Sequence, residues 1–262
     1  MRLLTMATIR HGGCANGPSG ATPRSGDDHL DDGRHRDGDE DPEHAVQSAE
    51  HEHGDHRGKV GHRGEAERLR ERFDRDFWVD DGYYALALQQ GNRQAAVLSS
   101  NTGHALWSGI AQPERAGKIA EWLLSDEMFN GWGVRTLTSA ALRYNPLGYH
   151  LGTVWPHDNS LIAAGFKRYG LDQEALKIMS GLIEAAVHFQ SYRLPELFGG
   201  FAQQDYGIPV SYPVACQPQA WSAGAVPYLL TAVLGLEADG FESKLRIVRP
   251  MLPENVNEVE VH

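Results

Sequence analysis

Two helices joined by one short turn dominate what this chain can become. Pro156 opens the first, and its apolar positions Leu161, Ile162, Ala164, Gly165 and Phe166 run to a stop at Tyr169-Gly170. Proline suits a first helical position, where its missing N–H has no partner to lose, and glycine suits the residue just past a helix end. Asp172 then caps a second helix running to about Gln190, with Ala175, Leu176, Met179, Leu182, Ile183 and Val187 on its buried side. So short a link forces the pair antiparallel.

The same logic extends in both directions. Ser100-Asn101 caps a helix through His104, Leu106, Trp107 and Ile110, and Pro113 starts another striped by Ala116, Ile119, Ala120 and Leu123. Ala66, Leu69, Phe73 and Phe77 mark a helix over residues 65–78, and residues 219–236 form a strongly apolar one. Strands are short: residues 83–88 after the turn Asp80-Asp81-Gly82, and a closing pair at 244–248 and 256–259. The expected class is mainly α with short β-strands. Hairpins of this kind close into a ring whose loop end forms a cup, and these helices supply about half of a twelve-helix ring. Half a ring leaves faces such as Ala116/Ile119/Leu123 unpartnered, so self-association through exposed helix faces is expected.

Residues 1–63 are a different kind of sequence. From Ile9 onward the segment is almost wholly Gly, Asp, Glu, Arg, His, Ser and Pro, with one short apolar hint at Ala45-Val46. It cannot bury enough apolar surface to offset the entropy of ordering, so a disordered N-terminal tail is expected, with the domain at 64–262. His51, His53 and His56 suggest a metal site, but no ligand spacing repeats, and a solvated coil is the plainer reading. A mixture rich in Arg, Gly, Asp, His and Pro and nearly without Lys is also what out-of-frame translation of a GC-rich gene gives.

Charge narrows the partners. A formal charge of −11 argues against nucleic acid or an anionic membrane. Cys14 and Cys216 are too few for a disulfide framework and read as reduced thiols. No apolar run approaches a membrane span, and Arg10-His11-Gly12 cuts short an opening that starts like a signal peptide. A cytoplasmic protein is expected. No cluster has metal-ligand spacing and no Gly-rich phosphate loop follows a strand, so no metal and no cofactor are expected.

Chemistry concentrates in two segments. The first runs Tyr149-His150-Leu151-Gly152-Thr153-Val154-Trp155-Pro156-His157-Asp158-Asn159. The second is Leu194-Pro195-Glu196-Leu197-Phe198-Gly199-Gly200, followed by Gln219-Ala220-Trp221-Ser222-Ala223-Gly224. Each sets an ionisable side chain beside aromatic rings at the mouth of a helix. Flat rings stack on the C–H face of a sugar, and a carboxylate inside such a frame is what glycosidic bond chemistry requires.

With Phe77-Trp78, Tyr84-Ala85-Leu86-Ala87-Leu88, residues 100–110 and Gly131-Trp132-Gly133-Val134-Arg135-Thr136-Leu137, these segments resemble bacterial glycogen-debranching, amylo-α-1,6-glucosidase-like proteins. Those belong to the six-hairpin (α/α)6 glycosidases, with glucoamylase, trehalase and mannosylglycerate hydrolase as wider kin. The resemblance covers about residues 66–250. It implies a partial (α/α)6 toroid and an inverting hydrolase acting on an oligosaccharide or small glycoside. In such an enzyme one carboxyl protonates the leaving oxygen and another, about 6.5–9.5 Å away, activates water. Glu196, in its Leu-Pro-Glu-Leu frame, matches the family's general base. The family's general acid is an Asp in a Gly-Arg-Asp segment much earlier in a longer chain, and nothing here corresponds to it. The resemblance therefore implies a C-terminal part lacking its acid; the alternative is a non-catalytic carbohydrate-binding or partner-completing fragment.

Bland roles stand beside the sharp ones. Glu196 could cap a helix or pair with Arg193. Asp158, in the first turn of a helix, could serve the helix dipole, bind a sugar hydroxyl or act as the acid, and a structural or sugar-binding role is the expectation. Tyr149, His150, Trp155 and His157 lie at the same end and are candidate substrate contacts, as are Trp132 and Arg135 in their Gly-rich loop. Trp221 is either a contact or a core aromatic. His104 is expected as a hydrogen-bonded core histidine, with a place on the rim as the alternative.

Overall fold

The computed structural model describes residues 56–253 together with Val256 and Glu258. The chain divides into two units, Met1–Gly58 and Lys59–His262, and the fold below is that of the second. It is mainly α, as the periodicity predicts. The helices are α1 (His56–Phe77), α2 (Asn101–Ser108), α3 (Ala116–Leu123), α4 (Pro156–Arg168), α5 (Asp172–Ala186), the single turn α6 (Gln203–Tyr206) and α7 (Ala220–Val233). The expected tail falls outside the described residues up to 55, and α1 begins at His56, within the stretch assigned to that tail.

Helix α4 is the hub, packing on α2, α5 and α7. Its inward Ile162 and Phe166 meet Ile119 and Leu123 of α3 and Ile178 and Leu182 of α5 in one core, all six fully buried. Each such side chain removed from water is worth about 1.5–3 kcal/mol. Helices α2 and α4 approach closely because small residues face each other. A Cβ on Gly103 would lie 2.7 Å from Ile162 Cγ1, and one on Gly165 would lie 2.8 Å from the Trp107 nitrogen.

Several expectations need correction. Residues 83–88 are not one strand. Strand β1 (Trp78–Val79) pairs with β2 (Tyr83–Tyr84), and β3 (Ala87–Leu88) pairs with β4 (Gln94–Ala95), so the segment changes partner halfway. The strand expected at 244–248 is β6 (Lys244–Ile247), and it pairs with β5 (Leu236–Asp239), whose first residue falls at the end of the expected helix; the strand expected at 256–259 lies partly outside the described residues. Gly235, at φ 64°, ends α7 early enough to free β5, and the Glu242 N–H donates to Asp239 Oδ1 (3.1 Å) in the turn. Helix α5 stops at Ala186, short of Gln190.

The faces expected to stand bare are covered. Ala116, Ile119 and Leu123 are buried within the chain. Among the exposed apolar side chains are Ile183 and Val187, expected on the buried side of the second helix, and Trp221, Val226 and Tyr228 of α7.

Asp172 does not cap α5, whose N-cap position is Leu171. It accepts instead from Lys167 Nζ (2.7 Å) and Arg249 Nε (3.0 Å), while Lys167 Nζ also donates to the Arg249 carbonyl (2.6 Å). Burial pushes the Asp172 carboxyl up, but Lys167 and Arg249 outweigh it and hold it below its ordinary value. Its contribution to stability is therefore present above the unfolded pKa and is lost as pH falls through the folded one. Asp172→Ala would leave the buried Lys167 ammonium with one carbonyl for company. A loss of about 3 kcal/mol is expected, read as a lower urea midpoint at neutral pH, with the gap to wild type narrowing in acid.

Candidate active site

Four loop segments meet side by side through single bridged pairs: Arg135 with Val154, Val154 with Phe198, and Phe198 with Ser211. Both bonds of the central pair close, Val154 N–H to the Phe198 carbonyl (2.9 Å) and Phe198 N–H to the Val154 carbonyl (3.0 Å). This stitching sets Glu196, Trp155 and Tyr212 next to one another although they come from separate stretches of sequence. Asn159, fully buried on α4, clamps the first segment: its Oδ1 accepts the Val134 N–H (2.6 Å) and its Nδ2 donates to the Val134 and Trp155 carbonyls (3.0 Å each).

Glu196 stands at the centre, 7% exposed. The Tyr149 hydroxyl donates to its Oε1, and the Cys216 N–H donates to its Oε2 (3.1 Å). Burial pushes the carboxyl up, but the Tyr149 hydroxyl, the Cys216 N–H and thiol, and Gln219 together hold it below the ordinary glutamate value. The same bond, together with burial, pushes Tyr149 up to about 12. Glu196 is thus an ionised carboxylate and Tyr149 a neutral donor at neutral pH. The bland alternatives for Glu196, a helix cap or a pair with Arg193, are not what it makes.

A row of rings surrounds it. Tyr149 lies edge-on to His150 (4.6 Å) and Trp155 (4.7 Å) and tilts against Tyr212 (5.9 Å). His150 stacks on Trp155, Trp155 meets the edge of His157, and His157 stacks flat on Trp221 at 4.1 Å and 3°. Trp155 is fixed by Nε1 donating to the Tyr149 carbonyl and to Thr153 Oγ1 (3.0 Å each). Trp155 is buried, whereas Tyr149 and Trp221 are exposed, Trp221 by 56%. One indole face of Trp221 is used by His157; that much exposure leaves the other for a ligand.

Asp158 anchors the far end of the row. It is 6% exposed, and its Oδ1 is hydrogen-bonded to His104 Nε2 across the α2–α4 contact. That bond raises the His104 pKa, against burial, while burial lowers that of His157.

Of the candidates, Glu196, Tyr149, His150, Trp155, His157, Asp158 and Trp221 come together. Trp132 and Arg135 do not join the row. Arg135 is buried and spends its donors on the carbonyls of Gly200 (2.7 Å) and Asp126 (2.9 Å), and Trp132 is buried edge-on to His188. Both brace the loops from behind. Sequence reasoning missed Tyr212, Cys216 and Asn159. The signal for Tyr212 was the Pro that follows it, which biases Tyr212 toward extended backbone, in line with its bridged neighbour Ser211. Among the described residues no group of three or more His, Cys, Asp or Glu could hold a metal, and no helix is long and apolar enough to cross a membrane.

Residues 42–201 match the family described as the mannosylglycerate hydrolase MGH1-like glycoside hydrolase domain. Among solved structures, the chain is similar to an uncharacterized conserved protein from Thermus thermophilus, at 22% identity and a TM-score of 0.45, over 66% of this chain and 37% of that one. It is also similar to the GH63 mannosylglycerate hydrolase of the same organism in complex with glucose, at 19% identity and a TM-score of 0.46, over 62% and 38%. The complex of that hydrolase with Tris and D-glycerate gives 20% and 0.45, over 66% and 37%. The chain therefore spans less than two fifths of the length of these structures. A comparison with curated proteins gave no match. The family match covers more than half of the chain and contains the Tyr149–Glu196 pair, and on that match the chain belongs to the MGH1-like glycoside hydrolase domain family, within the six-hairpin glycosidases.

Proposed function

We propose that this chain is the C-terminal part of an inverting α-glycoside hydrolase domain of the glycogen-debranching, amylo-α-1,6-glucosidase type, acting in the cytoplasm, with Glu196 as its general base. The observation that carries this reading is the state of Glu196: buried, ionised, and aimed by a phenol and a backbone N–H inside a row of rings. A base must be unprotonated to take a proton from water, and these bonds favour that form. The domain portion comprises residues 64–262.

The general acid is not among the groups gathered here. Asp158, the other carboxylate of the row, is turned to His104, which suits a sugar-binding or structural role. Without a positioned acid, a leaving sugar oxygen must depart unprotonated, and general acid catalysis is worth about 10²–10⁴ in rate. The chain is therefore expected to bind glucose and isomaltose, to hydrolyse isomaltose negligibly, and to hydrolyse α-glucosyl fluoride, whose leaving group needs less protonation. Calorimetry for binding and fluoride release for turnover check this. Robust isomaltose cleavage by this chain alone, abolished by Asp158→Asn, would make Asp158 the acid and overturn the assignment.

A further inference from the structure

Asp158 has more hydrogen-bonding capacity than the fold uses. One oxygen is taken by His104, while Oδ2 is buried without a partner. His104 is the opposite case: its side chain is 39% exposed, and among the described residues its Nδ1 bonds to nothing. The carboxylate thus fixes the ring at one nitrogen and leaves the other without a bond, on a half-exposed side chain whose field reaches His157, the ring stacked on Trp221. Protonated, a histidine so oriented has a second N–H to donate; neutral, it keeps its proton at Nε2 and offers only a lone pair at Nδ1.

We propose that His104, held at Nε2 by Asp158, is a further sugar-binding residue that donates its Nδ1–H as an imidazolium to a hydroxyl oxygen of the glycoside. This rests on the function proposed above and adds a residue to that site. The ligand class is a neutral sugar, because Glu196 and Asp158 already make the row acidic and would repel an anionic group.

Of the groups around His104, Asp158 supports the charged form and burial opposes it. From α4 it faces Asp158 and, one residue earlier, His157. From α7 the Tyr228 hydroxyl accepts from Trp107 Nε1 (2.8 Å), one turn along α2, where Arg168 of α4 reaches the Trp107 carbonyl (3.0 Å). Tyr84 of β2 is tied to Asp74 (2.9 Å), and on α3 Lys118 and Glu121 pair with each other (2.7 Å). Asp158 raises the His104 pKa and burial lowers that of His157, so over the interval between them His104 is charged and His157 neutral. Sugar affinity should be full below the His104 pKa and fall as pH rises through it. Linkage requires bound sugar to raise that pKa by the corresponding amount.

The test is a histidine NMR titration of the full chain from about pH 5 to about pH 9, with and without saturating glucose, beside glucose affinities over the same range. The expected result is a His104 midpoint that moves up on binding, and an affinity that drops roughly five- to tenfold across it, as the charged Nδ1–H donor is lost. The drop should vanish in His104→Gln. Glucose binding with a flat pH profile and an unmoved His104 midpoint would overturn the inference and leave the proposed function standing. No glucose binding at any pH would overturn both.

Discussion

Changing Glu196 to Gln is expected to lower α-glucosyl fluoride hydrolysis by roughly 10²–10⁴-fold while leaving glucose affinity within about threefold of wild type. The amide keeps the size of the side chain; its oxygen can still accept the Cys216 N–H while its NH2 donates to the Tyr149 hydroxyl oxygen, so the row of rings stays in place. What disappears is the capacity to take a proton from water. The pH profile adds a check with a definite sign. Glu196 is held below the ordinary glutamate value, chiefly by Tyr149 against the opposing effect of burial, so the acid limb of hydrolysis should lie below that value. Its share of stability is likewise present above the unfolded pKa and lost as pH falls through the folded one. Tyr149→Phe removes the largest stabilising bond, and the limb should move to higher pH. Kinetics from fluoride release, with calorimetry on the same preparations, separate the two effects. Equal losses of affinity and rate in Glu196→Gln would show that Glu196 binds sugar and does no chemistry.

Much of the scaffold behind that carboxylate was legible because helices announce themselves locally. The stripe Ala116, Ile119, Ala120, Leu123 is buried residue for residue, and Pro156 and Gly170 do open α4 and follow its end. The failures share a physical cause, which is that they depend on partners far away in sequence. Asp172 looked like a cap because the local pattern offered a helix start, yet Lys167 and Arg249 win its oxygens from the backbone N–H groups. The 83–88 segment read as one strand because alternation says nothing about where a pairing partner changes. Half a ring suggested a bare face on α3, but α3 packs on α2 and β2 and its stripe lies within the core cluster.

The site divides in the same way. Glu196 and its aromatic neighbours stood out by residue type and spacing, and the family frame gave Glu196 a role. Trp132 and Arg135 had the right composition and the wrong position: a Gly-rich loop with a Trp and an Arg is equally a brace when the guanidinium meets carbonyls. Nothing in the sequence could reveal that His104 reaches Asp158, because that contact depends on how closely Gly103 lets two helices approach.

Replacing Asn159 by Ala is expected to cost about 3–5 kcal/mol, the largest stability loss argued for this chain. Asn159 is fully buried and holds both backbone groups of Val134, itself fully buried, together with the Trp155 carbonyl. Truncation leaves the Val134 N–H and carbonyl without those partners and out of reach of water, at about 1–3 kcal/mol each, with a small cavity added. Against a total stability of about 5–15 kcal/mol for a domain, that is a lowering of roughly 10 °C in melting temperature. The effect should spread in a defined direction. Val134 precedes Arg135, which bridges to Val154 and on to Phe198, so loosening it releases the segment that carries Glu196. Fluoride hydrolysis is therefore expected to fall below melting as well, with a shallower pH limb as Glu196 loses its fixed bonds. Ser160→Ala is the control: it removes one local bond to the His157 carbonyl (2.6 Å) in the same turn of α4, and its cost should stay near 1 kcal/mol. Thermal melts and hydrolysis measured side by side decide the matter. An Asn159→Ala protein as stable as the Ser160→Ala control would mean that the loops around Glu196 are held by something other than this clamp.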